Sequence, residues 1–470
     1  MTAMRKWSAK PPARPNVRSA TTSIVVLGLL LALSAALAWA DVKVPNLELH
    51  ETKLDNGLRV ILVVDHSAPV YSIDVCYNVG SRNERPGRTG FAHLFEHMMF
   101  QGSENVGKGE HFIAVLNNGG GMNGTTNEDR TTYFEELPKN QLDLGLYLEA
   151  DRMRALNITQ GNLDNQRNAV QEERRQGIDN QPYGRANLDL DNLSFDNFAY
   201  KHSTIGSMLD LNAADVKDVS DFFRIYYAPN NAVVTMVGDF DLDEALTKVK
   251  KYFGAIPAQP EAPKTDLIDE PHYGERREVI RDPLARLPQI DMAYHVAPGN
   301  TPENYAAQQL ALILGQGQSS RLYQHLVKEK QLATQIGIFA DTRIGTSQLQ
   351  ISANPRPGVK VEDLERGIDE EIAAAVKDGV TADELAKAQT QLLRRFIDQR
   401  RSSLRTAILI GDYAVKFNDP NLINTVLDKQ HAVTLADVNA VAKKYLDRDQ
   451  RTVIVTLPAG ADARGTKGAQ

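Results

Sequence analysis

The sequence predicts an α+β fold made twice over: two homologous halves, each an antiparallel sheet with helices packed on one face. Three observations carry this. The chain has 470 residues, too many for one ordinary core, so two domains are the prior. In the first half, strand-like segments come before amphipathic helical ones, the order of an antiparallel sheet covered by helices. The chain also echoes itself. Ile73-Asp74-Val75-Cys76-Tyr77-Asn78-Val79 returns as Ile290-Asp291-Met292-Ala293-Tyr294-His295-Val296, 217 positions on. Ala214-Asp215-Val216 with Val219 returns as Ala436-Asp437-Val438 with Val441, 222 positions on. Near-equal offsets at opposite ends of the halves argue for tandem duplication.

In chain order, residues 1–40 read as an export address. Arg5, Lys6, Lys10, Arg14 and Arg18 make a basic start. Ile24–Leu37 is short and apolar, and Ala38-Trp39-Ala40 offers a small-x-small cleavage site before Asp41. These are the parts of a secretory signal peptide. The apolar run is shorter than the roughly 20 residues of a spanning helix; an uncleaved inner-membrane anchor is the alternative. The N-terminal domain occupies 41–256. Thr52–Val64 reads as a hairpin around Asp55-Asn56-Gly57, because Asn-Gly supplies the positive φ that tight turns require. Residues 70–79, VYSIDVCYNV, read as a strand. Cys76, the lone cysteine, excludes an internal disulfide and reads as a small buried apolar residue. A helix through His93 follows, then a turn at Gly119–Gly121, a strand through Thr131–Glu135 and amphipathic helices. Pro257–Pro271 has linker composition. The C-terminal domain spans 272–458, and the small polar tail 459–470 is expected to fray.

The chemistry lies in His93-Leu94-Phe95-Glu96-His97. Residues four apart on a helix stand one above the other, so both imidazoles reach one ion, with Glu96 beside them. This is H-x-x-E-H, the reversed form of the H-E-x-x-H zinc signature. Neutral imidazole suits Zn2+, and a carboxylate outside the ligand set can take a proton from the activated water. Two solvated histidines on a surface helix would show the same letters. Here Phe91, Leu94, Phe95, Met98, Met99 and Phe100 mark a buried helix, where such groups are costly without a partner. A catalytic zinc wants a third protein ligand and an open position. The acid pair Glu172-Glu173, in the helical stretch Leu163–Ile178, offers one. Helix neighbours diverge by about 100°, so only one of the two can easily face the metal helix. Spacing does not choose between them, and a solvated helix face is the simpler reading of both.

Four segments carry a resemblance: GFAHLFEHMMFQGS (90–103), GGGMNGTTNEDRTTYFEEL (119–137), LDNQRNAVQEERRQG (163–177) and YYAPNNAVVTMVGDFD (226–241). With them the chain resembles the pitrilysin/insulinase family of zinc peptidases, and more narrowly its short bacterial members related to mitochondrial processing peptidase. The likeness covers nearly everything after residue 45. It implies that Glu173 is the third ligand, that each chain holds one Zn2+, and that the two halves enclose an active-site cavity. Glu96 would serve as general base in peptide-bond hydrolysis. Asn123 and Gly124 match an edge strand that holds substrate through main-chain hydrogen bonds. A supporting glutamate of the family falls at Gln166, an amide in this chain.

The second half differs. Adding 217 to the metal residues gives Leu310, Ile313 and Leu314, and no H-x-x-E-H occurs there. Family members that complete the site from their second half carry an arginine and a tyrosine, seven apart, near Gly315–Ala333. The nearest residues here are Lys328 and Thr334; neither supplies the planar fork or the phenol. The expected function is therefore an exported zinc metalloendopeptidase of the periplasm, acting on peptides or unfolded segments. Its expected partner is a homologous sister chain that lacks the zinc motif and keeps the arginine–tyrosine pair, with a homodimer as the other arrangement. The alternative is a scaffold subunit with little or no activity of its own. A net charge of −7 and a pI near 5.9 argue against nucleic acid. Gly119-Gly120-Gly121 precedes Met122-Asn123 rather than Lys-Ser/Thr, which excludes a phosphate-binding loop there.

Overall fold

Asn56 and Gly57 turn the first hairpin. Gly57 has φ +88°, and the Asn56 amide donates to the carbonyls of Phe253 and Ile256, both at 2.9 Å. The strands it joins are β1 (His50–Lys53) and β2 (Arg59–Val64), paired antiparallel. The computed structural model describes residues 44–270 and 272–459. Residues 1–40, read above as a signal peptide, and the tail beyond Ala459 lie outside the described residues. From Leu47 onward the chain forms one unit holding two sheets, each with its own apolar core.

The first sheet adds β3 (Val70–Tyr77), β4 (Gly121–Thr126), β5 (Thr131–Pro138) and β6 (Ala232–Gly238), in the order β1-β2-β6-β3-β5-β4. The second contains β7 (Arg276–Asp282), β8 (Gln289–Val296), β9 (Ala333–Asp341), β10 (Ser347–Pro355) and β11 (Arg451–Pro458), in the order β7-β11-β8-β10-β9. Position for position the orders agree, except that β1 has no counterpart, as duplication requires. The α+β class holds, with one refinement. β2 pairs with β6, and β7 with β11, in parallel. A parallel pair needs a long crossover, and the helices between these strands supply it.

The helices that matter here are α1 (Phe91–Met98), α2 (Gln160–Arg174), α3 (Gly184–Ser194), α4 (Pro302–Gly315) and α5 (Ser403–Phe417). α1 follows β3, and α4 follows β8, so the two are topological counterparts. α3 and α5, whose first residues stand 219 positions apart, are exchanged between the halves. α3 packs on β11, β8 and β7; α5 packs on β3, β6 and β5. Each sheet is therefore covered on both faces, not one. This explains why β6 is buried along its whole length, since a strand covered on both sides reads as a continuous apolar run. β3 shows both environments. Tyr71, Ile73, Val75 and Tyr77 join the first core, while Ser72 bonds Ser403 of α5 at 2.9 Å. Cys76 is buried on the α5 side, as its apolar setting predicts.

Gly411 lets α5 close on β3: a Cβ there would stand 2.2 Å from Asp74 Oδ2 and 3.3 Å from Cys76 Cβ. Asp74 is buried and held by Thr132, so it cannot swing away. Gly411→Val is expected to cost about 1–3 kcal/mol, read as a lower urea midpoint with an unchanged m-value. The described linker residues, 257–270, form no helix or strand but are fastened. Asn230 exchanges hydrogen bonds with the Gln259 main chain at 2.8 and 3.0 Å. Asp269 accepts from the Asp196 and Asn197 amides at 2.9 and 2.8 Å.

Candidate active site

α1 is anchored by its apolar side, with Phe91, Leu94, Phe95 and Met98 in the first core and the Phe95 ring centroid 4.1 Å from that of Tyr227. That burial leaves His93, Glu96 and His97 along the other side. α2 starts at a Thr159 cap, whose hydroxyl accepts from the Asn162 amide at 3.2 Å, and delivers Glu173 from its last turn. Glu173 Oε2 lies 3.7 Å from His93 Nε2 and 3.3 Å from His97 Nε2. Glu172 points elsewhere, to Arg175 and Gln176 at 3.1 and 2.8 Å. Of the acid pair left open by spacing, Glu173 is the one that faces the two histidines.

Donors bound to a tetrahedral zinc at about 2.0–2.1 Å stand roughly 3.4 Å apart, so these separations fit that ion. The donor set, two imidazoles and one carboxylate, also fits. His97 Nδ1 faces Gln166 Oε1 at 3.3 Å, which leaves Nε2 on the metal side. The amide at 166 therefore still accepts from the ring, as a carboxylate would, but without its charge. When His97 is protonated it forms an ion pair with Glu173. Burial opposes charge on His97, but contact with Glu173 outweighs it and raises its pKa. The same contact lowers that of Glu173. Burial, and then His97, depress His93 to about 4.

Glu96 is 8% exposed, and burial raises its pKa against the opposing hydrogen bond from Thr126. The Thr126 hydroxyl donates to Glu96 Oε2 at 2.6 Å. Thr126 was not anticipated, although strand alternation puts it on the face of Gly124. At Gly124 a Cβ would stand 3.1–3.3 Å from Tyr133, Phe100 and Glu96 Cγ, so glycine allows β4 to close on α1. Among the described residues β4 is an edge strand, paired with β5 alone. Asn123 is exposed, and its side-chain oxygen accepts from the Gly124 amide at 2.9 Å.

The second half reaches this site indirectly. Asp129, in the β4–β5 turn, accepts from the Ile344 amide at 2.8 Å and the Tyr200 hydroxyl at 2.8 Å. Arg130 pairs with Asp412 of α5 at 3.1 Å. The counterparts of the metal residues, Leu310, Ile313 and Leu314, are buried in the second core. Thr334 donates to the Asn354 carbonyl at 3.2 Å, and Lys328 lies 5.8 Å from the Tyr323 ring centre. Neither belongs to the metal cluster. Another buried group, His111, Glu135 and Glu149, was also missed, because its members are scattered along the chain. Both Glu149 oxygens already accept from Arg152, whose guanidinium lies 4.5 Å from the Tyr133 ring centre. The group underpins β5 and carries its charge compensation with it.

Fold and site define a class: a duplicated α+β protein in which, among the described residues, a group of two histidines and one carboxylate at ligand distance occurs in the first half alone. The chain belongs to the insulinase family of peptidases, M16. The family model described as insulinase (peptidase family M16) matches residues 59–206, and that of the peptidase M16 inactive domain matches 213–392. The chain is 32% identical to zinc protease PqqE of Helicobacter pylori over 440 residues, covering 92% of this chain and 98% of that one. A crystal structure of a protease from Helicobacter pylori shares the fold with a TM-score of 0.84 and 30% identity, covering 88% of this chain and 100% of that one. The periplasmic protease PqqL of Escherichia coli matches at a TM-score of 0.71 and 18% identity, over 91% of this chain but 49% of its own.

Proposed function

We propose that the chain is an exported zinc metalloendopeptidase that cleaves peptides or unfolded segments. The observation that supports this most is the convergence of His93, His97 and Glu173 on one point beside a buried Glu96. His93, His97 and Glu173 would hold Zn2+, which when bound acidifies its water to a pKa of about 7 and polarises the peptide carbonyl. Glu96 takes the proton of the attacking water and delivers it to the leaving amine. The Thr126 hydroxyl orients the Glu96 carboxylate through its hydrogen bond. The open edge of β4, at Asn123 and Gly124, aligns an extended peptide through main-chain hydrogen bonds. Such binding reads backbone, so unstructured peptides are the natural probe.

Purified protein is expected to hold about one zinc per chain. A chelator should abolish hydrolysis and added zinc restore it. His93→Ala, His97→Ala and Glu173→Ala should each weaken zinc binding, while Glu172→Ala should not; the reverse within the acid pair would remove Glu173 from the site. pH provides a second check. A proton on His97 competes with zinc, and Glu173 raises the pKa of His97 above its ordinary 6.5. Zinc affinity should fall about tenfold per pH unit below that raised value. The ion pair's own contribution to the stability of the zinc-free protein runs the other way. It is full between the ordinary glutamate value of 4.5 and the ordinary histidine value of 6.5, and it is lost as pH rises through the raised value of His97 or falls through the lowered value of Glu173. An affinity flat between pH 6 and 8 would exclude protonation of His97 in the free site.

Export to the periplasm rests on the leader segment; N-terminal sequencing of the mature protein should begin at or near Asp41. A second reading, a weakly active subunit that needs a sister chain, is favoured by Lys328 and Thr334 in place of the arginine–tyrosine pair.

A further inference from the structure

The metal helix α1 opens at Gly90, held at φ +84° with no side-chain cap of its own. Its first turn therefore starts with unsatisfied N–H groups. Glu84, six residues upstream, takes two of them. Its Oε2 accepts from the Gly90 amide at 2.8 Å and its Oε1 from the Ala92 amide at 2.7 Å. The Glu84 side chain is 0% exposed. One further group meets it: His202 Nε2, 2.9 Å from Glu84 Oε2 and 3.1 Å from the Ser81 carbonyl. The other ring nitrogen, Nδ1, faces the Phe198 carbonyl at 2.8 Å. Carbonyls only accept, and so does Glu84 when ionised; both ring nitrogens then donate, and a ring that donates twice is an imidazolium. The pair is a buried, charge-assisted contact.

The far end of this contact is fixed as well. His202 follows the short helix Phe198–Lys201. Its Tyr200 hydroxyl donates to Asp129 at 2.8 Å and accepts from the Gly345 amide of the second half at 3.0 Å. Arg343, 2% exposed, lies with its guanidinium 5.0 Å from the Tyr200 ring centre. The anchor is thus tied to the β9–β10 turn of the second half.

We infer that Glu84 and His202 form a positioning clamp, which fixes the N-terminus of α1 so that His93 and His97 meet Glu173 at ligand distance. The clamp rests on the zinc-peptidase reading for its consequence but not for its geometry. Neither residue touches the metal cluster, so both act through the helix.

The test compares wild type with Glu84→Gln and His202→Gln, two variants of similar bulk that break the pair from opposite sides. The zinc dissociation constant, from competition with a chromogenic chelator, should rise roughly tenfold or more in each, as it does when groups that orient metal ligands are removed. kcat on an unstructured peptide should fall with KM unchanged, because β4 is not disturbed. Amide exchange at Leu94–His97 should quicken in the zinc-free protein, a local change that general destabilisation would not confine to α1. Folded variants with wild-type zinc affinity and wild-type exchange overturn the clamp. If Glu84→Gln does not fold, His202→Gln carries the comparison. Nitrogen chemical shifts in the wild type add a check that needs no variant. At pH 7 His202 should show two protonated ring nitrogens, and a neutral ring overturns the pairing. A wild type that binds no zinc would sink the peptidase reading alone. The exchange measurement then decides the clamp, faster exchange supporting it and unchanged exchange overturning it.

Discussion

Glu96→Gln protein is expected to keep about one zinc per chain and to hydrolyse peptide roughly 10²–10⁴ times more slowly than wild type. The amide matches the carboxylate in size and can still accept from the Thr126 hydroxyl, which donates to Glu96 at 2.6 Å in the wild type. It cannot take a proton. His93, His97 and Glu173 are untouched, so metal content should not change. Metal analysis and single-turnover hydrolysis on the same preparation separate the possibilities. Wild-type turnover would remove Glu96 from the mechanism; loss of zinc together with activity would make its role structural. The pH profile adds a signature. Burial raises the pKa of Glu96 above its ordinary value, and a base works ionised. Wild-type activity should therefore fall as pH drops through that raised value, and the residual activity of Glu96→Gln should lack that limb.

What could be read without coordinates follows from the range over which each constraint acts. His93, Glu96 and His97 sit within one helical turn and a half, so their common side is a local matter of periodicity. The hairpin at Asn56-Gly57 is local for the same reason. Glu173 is not local: α2 carries it past the histidines, and a charged helix shows no pattern that separates Glu173 from Glu172 before the helices pack. Thr126 is intermediate, since alternation gives its face but not what lies opposite. The exchange of α3 and α5 leaves an indirect trace, the apolar run of β6 interrupted by Thr235, since a strand covered on both faces reads as a near-continuous apolar run. The grip on Asp129 by Ile344 and Tyr200 leaves none, because an aspartate in a turn looks the same whether it faces water or another domain. The second half illustrates the opposite case. Leu310, Ile313 and Leu314 were legible as apolar residues of a helix, and α4 buries them in the second core.

Mixing this chain with a sister chain that lacks H-x-x-E-H and keeps an arginine and a tyrosine in its second half is expected to raise peptide hydrolysis about 10²–10³-fold. That is the typical worth of a preorganised donor aimed at charge developing in the transition state. The argument starts from the second half of this chain. Thr334 spends its hydroxyl on the Asn354 carbonyl, and Lys328 lies against Tyr323; neither offers a planar or phenolic donor to a substrate held on β4. The site in the first half supplies donors for a metal and a base, and among the described residues the His93, His97 and Glu173 group includes no histidine, cysteine or carboxylate of the second half. Alone, the chain should bind zinc and turn over slowly. Adding the sister should raise kcat with its own zinc content at zero, and replacing the sister's arginine by alanine should cancel the gain. Size-exclusion with light scattering should show the mixed dimer in the active fraction. Full activity from the isolated monomer, unchanged by any sister chain, would overturn this arrangement and assign the missing donor to a residue of this chain, with Lys328→Ala as the first substitution to make.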